Sequence, residues 1–500
     1  MMTPRNFAKG VIPHGTTTVV TDPHEIANVC GMEGVRYMHE AGDDLPMRQL
    51  IDIPSCEPAV PGLENAGAES FAGQIEELSS MDRVIGLAEV MDFLAVIHGE
   101  DRMMDIIDVM DKKGLYLQGH APSVSGRMLS AYLCGGPNTC HESRERYEAL
   151  EKLRSGMFVD ARESSITKNV EEIWEGVKGV RFFDHFCLCT DDREADDILH
   201  VGHMNDVVRT AIRSGMDPVT AIKSATFNTA REIHIENLGA IAPGYVADML
   251  IVSDLRELKP DYVFFGGKLV AEMGQMSVPI EDREYPLEKV NTMYVRELTE
   301  EDFRIKAPVE NGTVTVNVME YPDIHLSSTE LTTAQLPVKD GYVCLEGEDL
   351  KFVAVVNRHK GHDTIGLGIV KGFGTTCGAL ASTVSHDSHN LTVVYDSAAN
   401  ALAAAKALIQ CGGGMSAVKD GRLLHVLELP LAGLISLKDA AELAKDSQAM
   451  KEANRELGLT GLENPLLRIV TLALPVIPKV KMSDLGMVDV LKKELIPLFA

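Results

Sequence analysis

The strongest constraint on this chain is where the polar residues fall in its first half. Short β-branched runs alternate there with helical stretches. The strand-like runs are Thr16–Asp22, Gln49–Ser55, Val84–Val90, Leu115–Ala121, Met157–Glu163 and Phe186–Asp191, with a short one near Pro137–Glu142. Between them lie Glu69–Met81, Asp101–Lys113, Ser143–Ser155 and Asn205–Ser214. In Asp101–Lys113, Met104, Ile107, Val109 and Met110 stand apolar among Asp101, Asp105, Asp108 and Asp111, a helical pattern. Such alternation predicts βα units around a parallel sheet. Nearly every strand ends on polar residues: Asp22-Pro23-His24-Glu25, Ser55-Cys56-Glu57, Glu89, His120, His141-Glu142, Arg162-Glu163 and Asp191-Asp192. A strand interior has no use for such groups, whereas the C-terminal rim of a closed parallel barrel is where chemistry sits. The expected fold class is therefore α/β, a TIM-like (β/α)8 barrel with seven of its strands recognisable.

The rest of the chain changes character twice. Asp217–Glu232 reads as one Ala-rich helix, and Gly239–Gly244 then leads into Ala247–Val252 and a β-like stretch, Tyr262–Val270, turning at Gly266-Gly267. These fit a small flanking antiparallel sheet. From about Arg296, strands at Thr313–Met319, Phe352–Asn357 and Leu391–Tyr395 mix with helices at Ala398–Cys411 and Leu437–Leu457, the mark of an α+β domain. The expected division is a barrel over 1–235, the remainder of a flanking β-sandwich over 236–295 and a C-terminal α+β domain over 296–500. Gly366, Gly368 and Gly372 have the wrong spacing for a nucleotide fingerprint. Gly412-Gly413-Gly414 reads as a helix cap and turn.

Composition narrows the partners. A formal net charge of −27 on 500 residues repels phosphate backbones and anionic membranes, so nucleic acid and membrane surfaces are not expected partners. The nine cysteines include no CxxC pair, which fits reduced thiols and a cytoplasmic location. The first residues have no apolar signal region, and no apolar run is long enough to span a bilayer. A small neutral substrate and a homo-oligomer are expected.

The candidate chemistry lies in consecutive strand ends. Glu89 closes Gly86-Leu87-Ala88-Glu89-Val90, and His120 closes a strand in which Gly119 allows close backbone approach and Pro122 stops extension. His141 follows at the next strand beside Glu142, and Asp191 ends the last one. Any one of these alone is a common hydrogen-bonded rim residue. Together, imidazoles and carboxylates on rigid strand ends are what a divalent metal needs to activate water, with carboxylates at hand to move protons.

Several stretches carry a resemblance: His14-Gly15-Thr16-Thr17-Thr18, Asp22–Val29, Gly119-His120-Ala121-Pro122, Cys189-Thr190-Asp191-Asp192-Arg193, Gly239–Val252 and Ser385-His386-Asp387-Ser388-His389-Asn390. In order along essentially the whole chain, they resemble the adenine deaminases of the amidohydrolase superfamily. The resemblance implies hydrolytic deamination of adenine to hypoxanthine and ammonia, in purine salvage. It implies a binuclear centre of manganese, with iron or zinc as alternatives. Glu89, His120, His141 and Asp191 would be ligands, and Glu89, Asp191, His24 and Glu25 the catalytic groups. Arg162, Glu163, Asp192, His386 and His389 would contact substrate or form a lid. His386 and His389 can instead bind a metal, and His359 and His362 can join them.

Two departures shape the expectations. The family's barrel opens with a strand ending in a His-x-His pair, and this chain has none, nor the early half of the flanking sandwich. The expectation is a seven-stranded sheet lacking the first barrel strand, with open edges and one metal held well. Such a chain arises from a coding start placed too late, or is a truncated, poorly active relative. Thr139-Cys140 also stands where Ser-Asp is expected before His141, removing a carboxylate that would orient that ring. The alternatives are an amidohydrolase acting on another purine or a cyclic amide, and an inactive homologue acting as a scaffold.

Overall fold

The computed structural model describes residues 1–283, 290–347, 349–462 and 464–500. The part of the expected 236–295 region at 284–289 therefore lies outside the described residues.

Seven parallel strands carry the first half: β1 (Thr18–Thr21), β2 (Arg48–Ile53), β3 (Val84–Val90), β4 (Tyr116–Gly119), β5 (Thr139–Cys140), β6 (Phe158–Arg162) and β7 (Phe186–Cys189). They form two sheets, β1-β2-β3-β4 and β5-β6-β7, rather than the single seven-stranded sheet expected. The break has a local cause. Where a backbone ladder would join β4 to β5, the Gly119 amide donates to the Thr139 hydroxyl at 2.9 Å instead. A Cβ on Gly119 would sit 2.1 Å from the Thr139 carbonyl oxygen, so only glycine permits this approach.

Strands buried on both faces read as continuous apolar runs. Ile51, Ile53, Leu87, Val90 and Leu117 pack with Ile75, Met103, Ile106, Ile107 and Met110 of the covering helices. Val159, Ala161, Phe186 and Leu188 pack with Ile173, Trp174, Val207 and Ala211. The helix Asp101–Lys112 buries Met103, Ile106, Ile107 and Met110, so Met104 and Val109 are only partly covered. The expected helix over 217–232 is broken into Pro218–Ser224 and Phe227–Glu232, because Thr226, at φ −135° and ψ −83°, leaves the helical region.

An antiparallel sheet follows, with strands Met249–Val252, Pro260–Phe265, Lys268–Glu272 and Gln275–Met276. The C-terminal half is built on a nine-stranded mixed sheet flanked by the helices Ala398–Cys411 and Ala440–Glu456. Strand alternation explains this sandwich. Val353 and Val355 face Leu443 and Met450, whereas Ala354 and Val356 face Ala401, Ala404 and Leu408. Gly412 caps the first helix with φ 85°, the left-handed conformation glycine tolerates. Among the described residues no helix is long and apolar enough to cross a membrane.

Polar contacts join the two halves at the barrel rim. Asp484 accepts from the Asn65 amide at 2.9 Å and its side chain at 2.7 Å, and Asn390 Nδ2 donates to Asn65 O at 2.9 Å. Lys451 Nζ lies 2.7 Å from both Glu194 and Asp196.

Candidate metal centre

Glu89 is the hub. Its Oε2 lies 2.6 Å from His120 Nδ1 and 2.9 Å from His141 Nε2, so three strand ends converge on one point. The three side chains are 12–14% exposed and together line a crevice at the rim. Burial disfavours the Glu89 carboxylate, but the two rings more than offset it and hold it well below the usual carboxylate range. Burial also works against the His141 cation, and Glu89 overrides it, raising the ring to about 10. One ligand atom from each of Glu89, His120 and His141 can meet within 4.8 Å. A carboxylate and two imidazoles so placed fit a divalent cation.

The backbone holds these rings in place. The His120 amide donates to the Tyr132 hydroxyl at 2.9 Å, fixing the end of β4. Lys152, fully buried, donates to Ala121 O at 2.6 Å, Ser143 Oγ at 3.2 Å and Cys140 Sγ at 3.2 Å, and pairs with Glu148 at 2.6 Å. One ammonium thus ties the turn after His120 to the turn around His141. Cys140, standing where a carboxylate was expected, is part of this anchor.

A second group lines the mouth. His24 and Glu25 open the helix His24–Cys30, one turn beyond β1. His24 Nδ1 lies 3.0 Å from Asp22 and 3.8 Å from Glu89, and its Nε2 lies 3.6 Å from Glu25. His386 of the C-terminal half reaches across to Glu25 at 4.0 Å, and His24, Glu25 and His386 form another set of potential ligands. Opposite, Arg162 pairs with both Glu142 and Asp191, and Asp191, at φ 53°, also groups with His141 and Glu142. Burial raises the Glu142 carboxyl, but His120, Arg162 and His141 bring it down to about 2. A recess of about 220 Å³ lies between the halves, with Ile26, Val384, Leu467 and Val470 on its walls and Glu25, Asp192 and His386 at its polar end.

Not every expected residue joins this assembly. Glu163 forms a backbone bridge with Lys168, and the charges acting on its carboxyl are Lys168, Asp206 and Arg193. His389, fully buried beside His386, also lines the recess, and its Nδ1 accepts from the Ser385 amide at 3.2 Å. His359 Nε2 donates to Ser388 O at 2.7 Å, whereas His362 is exposed. Asp22 and Glu142 join the site through His24 and His141, and standing beside those histidines is the signal the sequence offers for them. Lys152 and Tyr132 carried no signal, since the contacts that matter, to Ala121, Cys140 and Ser143 and to His120, come from other elements.

A parallel barrel-type sheet whose rim gathers histidines and carboxylates defines a metal-dependent hydrolase of α/β barrel type. Residues 1–270 match the amidohydrolase family, and residues 327–494 match the adenine deaminase C-terminal domain. Adenine deaminase 2 of Carboxydothermus hydrogenoformans is 39% identical over 503 residues, covering 100% of this chain and 86% of that protein. Adenine deaminase of Moorella thermoacetica is 39% identical, with 100% and 84% covered, and that of Ruegeria sp. is 40% identical, with 100% and 83% covered. The chain belongs to the amidohydrolase family and, within it, to the adenine deaminases.

Proposed function

We propose that this chain hydrolyses adenine to hypoxanthine and ammonia, using a divalent metal held by Glu89, His120, His141 and Asp191. The observation that carries the proposal is the convergence of Glu89, His120 and His141 within hydrogen-bond distance at the rim, in a chain similar to adenine deaminases over its whole length. Manganese is the proposed metal, with iron and zinc as alternatives, and the setting is cytoplasmic purine salvage. The domain division at 235 and 295 belongs to the same proposal.

When bound, the metal supplies the Lewis acidity that lowers the pKa of a water from about 15.7 towards 7. The chain's own groups do the rest. Water adds at C6, N1 must gain a proton, and the departing amine must gain another. Asp191 and Glu25 are the carboxylates at the mouth for these transfers. Arg162 holds Asp191 toward the cavity, and His24, between Asp22 and Glu25, fixes the orientation of Glu25. Glu25, Asp192 and His386 edge the apolar recess, which suits a flat neutral heterocycle with polar edges.

The test is ammonia release from adenine by the metal-stripped chain reloaded with manganese, beside H141N. Turnover that H141N loses while keeping the wild-type melting profile is the expected result. Metal binding without adenine turnover overturns it, and turnover of another purine or a cyclic amide would assign that substrate instead.

A further inference from the structure

Deeper in the barrel lies a second cluster that deamination leaves unused. Asp160 sits on β6 two residues before Arg162, Cys187 sits on β7, and Glu232 ends the helix Phe227–Glu232. One ligand atom from each lies within 4.8 Å of the others. All three are buried, at 6%, 1% and 5% exposure. The Tyr116 hydroxyl donates to Glu232 Oε1 at 2.9 Å. Asp52, fully buried on β2, adds a carboxyl whose field reaches Tyr116 and Glu232.

The cluster is rich in acceptors and poor in donors. Asp160 Oδ1 and both Asp52 carboxyl oxygens have no hydrogen-bond partner. A buried carboxyl with idle lone pairs is costly unless a proton or a cation balances it. Burial raises Asp160, Cys187 and Glu232, so the cluster holds its protons more tightly than free carboxyls and a free thiol do. Two carboxyls and a thiol, however, are a chelating set drawn from three rigid elements. The barrel cavity, about 350 Å³, is lined by Asp160, Glu232 and Tyr116 as well as Glu89, His141 and Asp191, so an ion entering at the rim can reach it.

We propose that Asp160, Cys187 and Glu232 form a second, deeper cation site that takes a thiolate-binding divalent metal of the zinc class. Binding displaces the thiol and carboxyl protons to water. The mixed sulfur and oxygen donors favour a borderline metal over magnesium or calcium. The site stands independently of the substrate assigned at the rim.

Cadmium is the probe, because its thiolate complex gives an ultraviolet charge-transfer band. The full chain is stripped with chelator and titrated with cadmium, in parallel with H120N/H141N, C187S and D160N, each checked for native circular dichroism. One equivalent of tight cadmium with a thiolate band is expected in the wild type and in H120N/H141N, and its loss in C187S. D160N should lose it too, and decides the question should C187S fail to fold. Metal analysis after zinc loading should show one equivalent fewer in the same two variants. A tight band unchanged in C187S and D160N, or no band in the wild type, overturns the proposal and leaves a proton-filled cluster.

Discussion

Replacing Lys152 with Met keeps the volume of the side chain and removes its charge, isolating what the buried ammonium contributes. Three contacts, to Ala121 O, Cys140 Sγ and Ser143 Oγ, disappear, and Glu148, whose side chain is 9% exposed, loses its cation. Removing one partner of a buried pair costs about 3–5 kcal/mol, chiefly through the charge left behind. Glu148 keeps amide donors from Ser123 at 2.8 Å and Arg144 at 3.2 Å, which places K152M at the lower end, about 3 kcal/mol. At about 2–4 °C per kcal/mol for a domain of this size, thermal unfolding should shift down by about 6–12 °C. The partner experiment is K152M/E148Q, which removes the stranded charge and should recover about half of the loss. Because Lys152 joins the turns that follow His120 and surround His141, K152M should also weaken metal affinity at Glu89, His120 and His141 by about 10–100-fold. Chemical denaturation and metal titration read the two effects separately. A K152M protein within about 0.5 kcal/mol of wild type, or a double variant no better than the single, would refute the reasoning.

Two further outcomes follow from the same geometry. G119A forces a Cβ to within 2.1 Å of the Thr139 carbonyl oxygen, so β4 and β5 must separate; a loss of about 1–3 kcal/mol in denaturant midpoint analysis and weaker metal binding are expected, and unchanged stability would contradict the contact. His203 is pushed down to about 3 by burial, then by Arg193 and His14, and its Nδ1 meets Thr16 Oγ1 at 2.8 Å. The unfolded chain takes up this proton near 6.5 and the folded chain only near 3, so the stability from neutral His203 is present above 6.5 and drains away between those values. H203Q should flatten the pH dependence of unfolding across that window by up to about 1.4 kcal/mol per pH unit, and an unaltered slope would remove His203 from the account.

The strands of the first half were legible because a strand buried on both faces must be a short apolar run, and the rim because polar residues at its ends have nowhere else to go. β3 runs over Val84–Val90, as read from the sequence, and the sheet of the second half contains all three expected strands. The convergence of Glu89, His120 and His141 was foreseeable from strand order alone. The helices Phe93–His98 and Gly126–Cys134 were not, because segments of 6 and 9 residues show too few turns for a periodicity to stand out. The split between β4 and β5 depends on a side-chain hydrogen bond that no local pattern announces. Lys152 reads as one more helical lysine; only the packed structure turns it inward. His389 lines the recess beside His386, whereas the charges acting on Glu163 are Lys168, Asp206 and Arg193, and which way either side chain turns is not written in the local sequence.

The 4.0 Å approach of His386 to Glu25 couples two things that are usually considered apart. A molecule seated in the recess touches the barrel through Glu25 and the C-terminal half through Val384 and His386. Its binding free energy is therefore shared with the docking of one half of the protein on the other. By reciprocity, the factor by which docking tightens the ligand is the factor by which the ligand tightens docking. The energy that holds Asn65 against Asp484 and Lys451 against Glu194 thus contributes to affinity at the mouth, at a distance from any atom of the ligand.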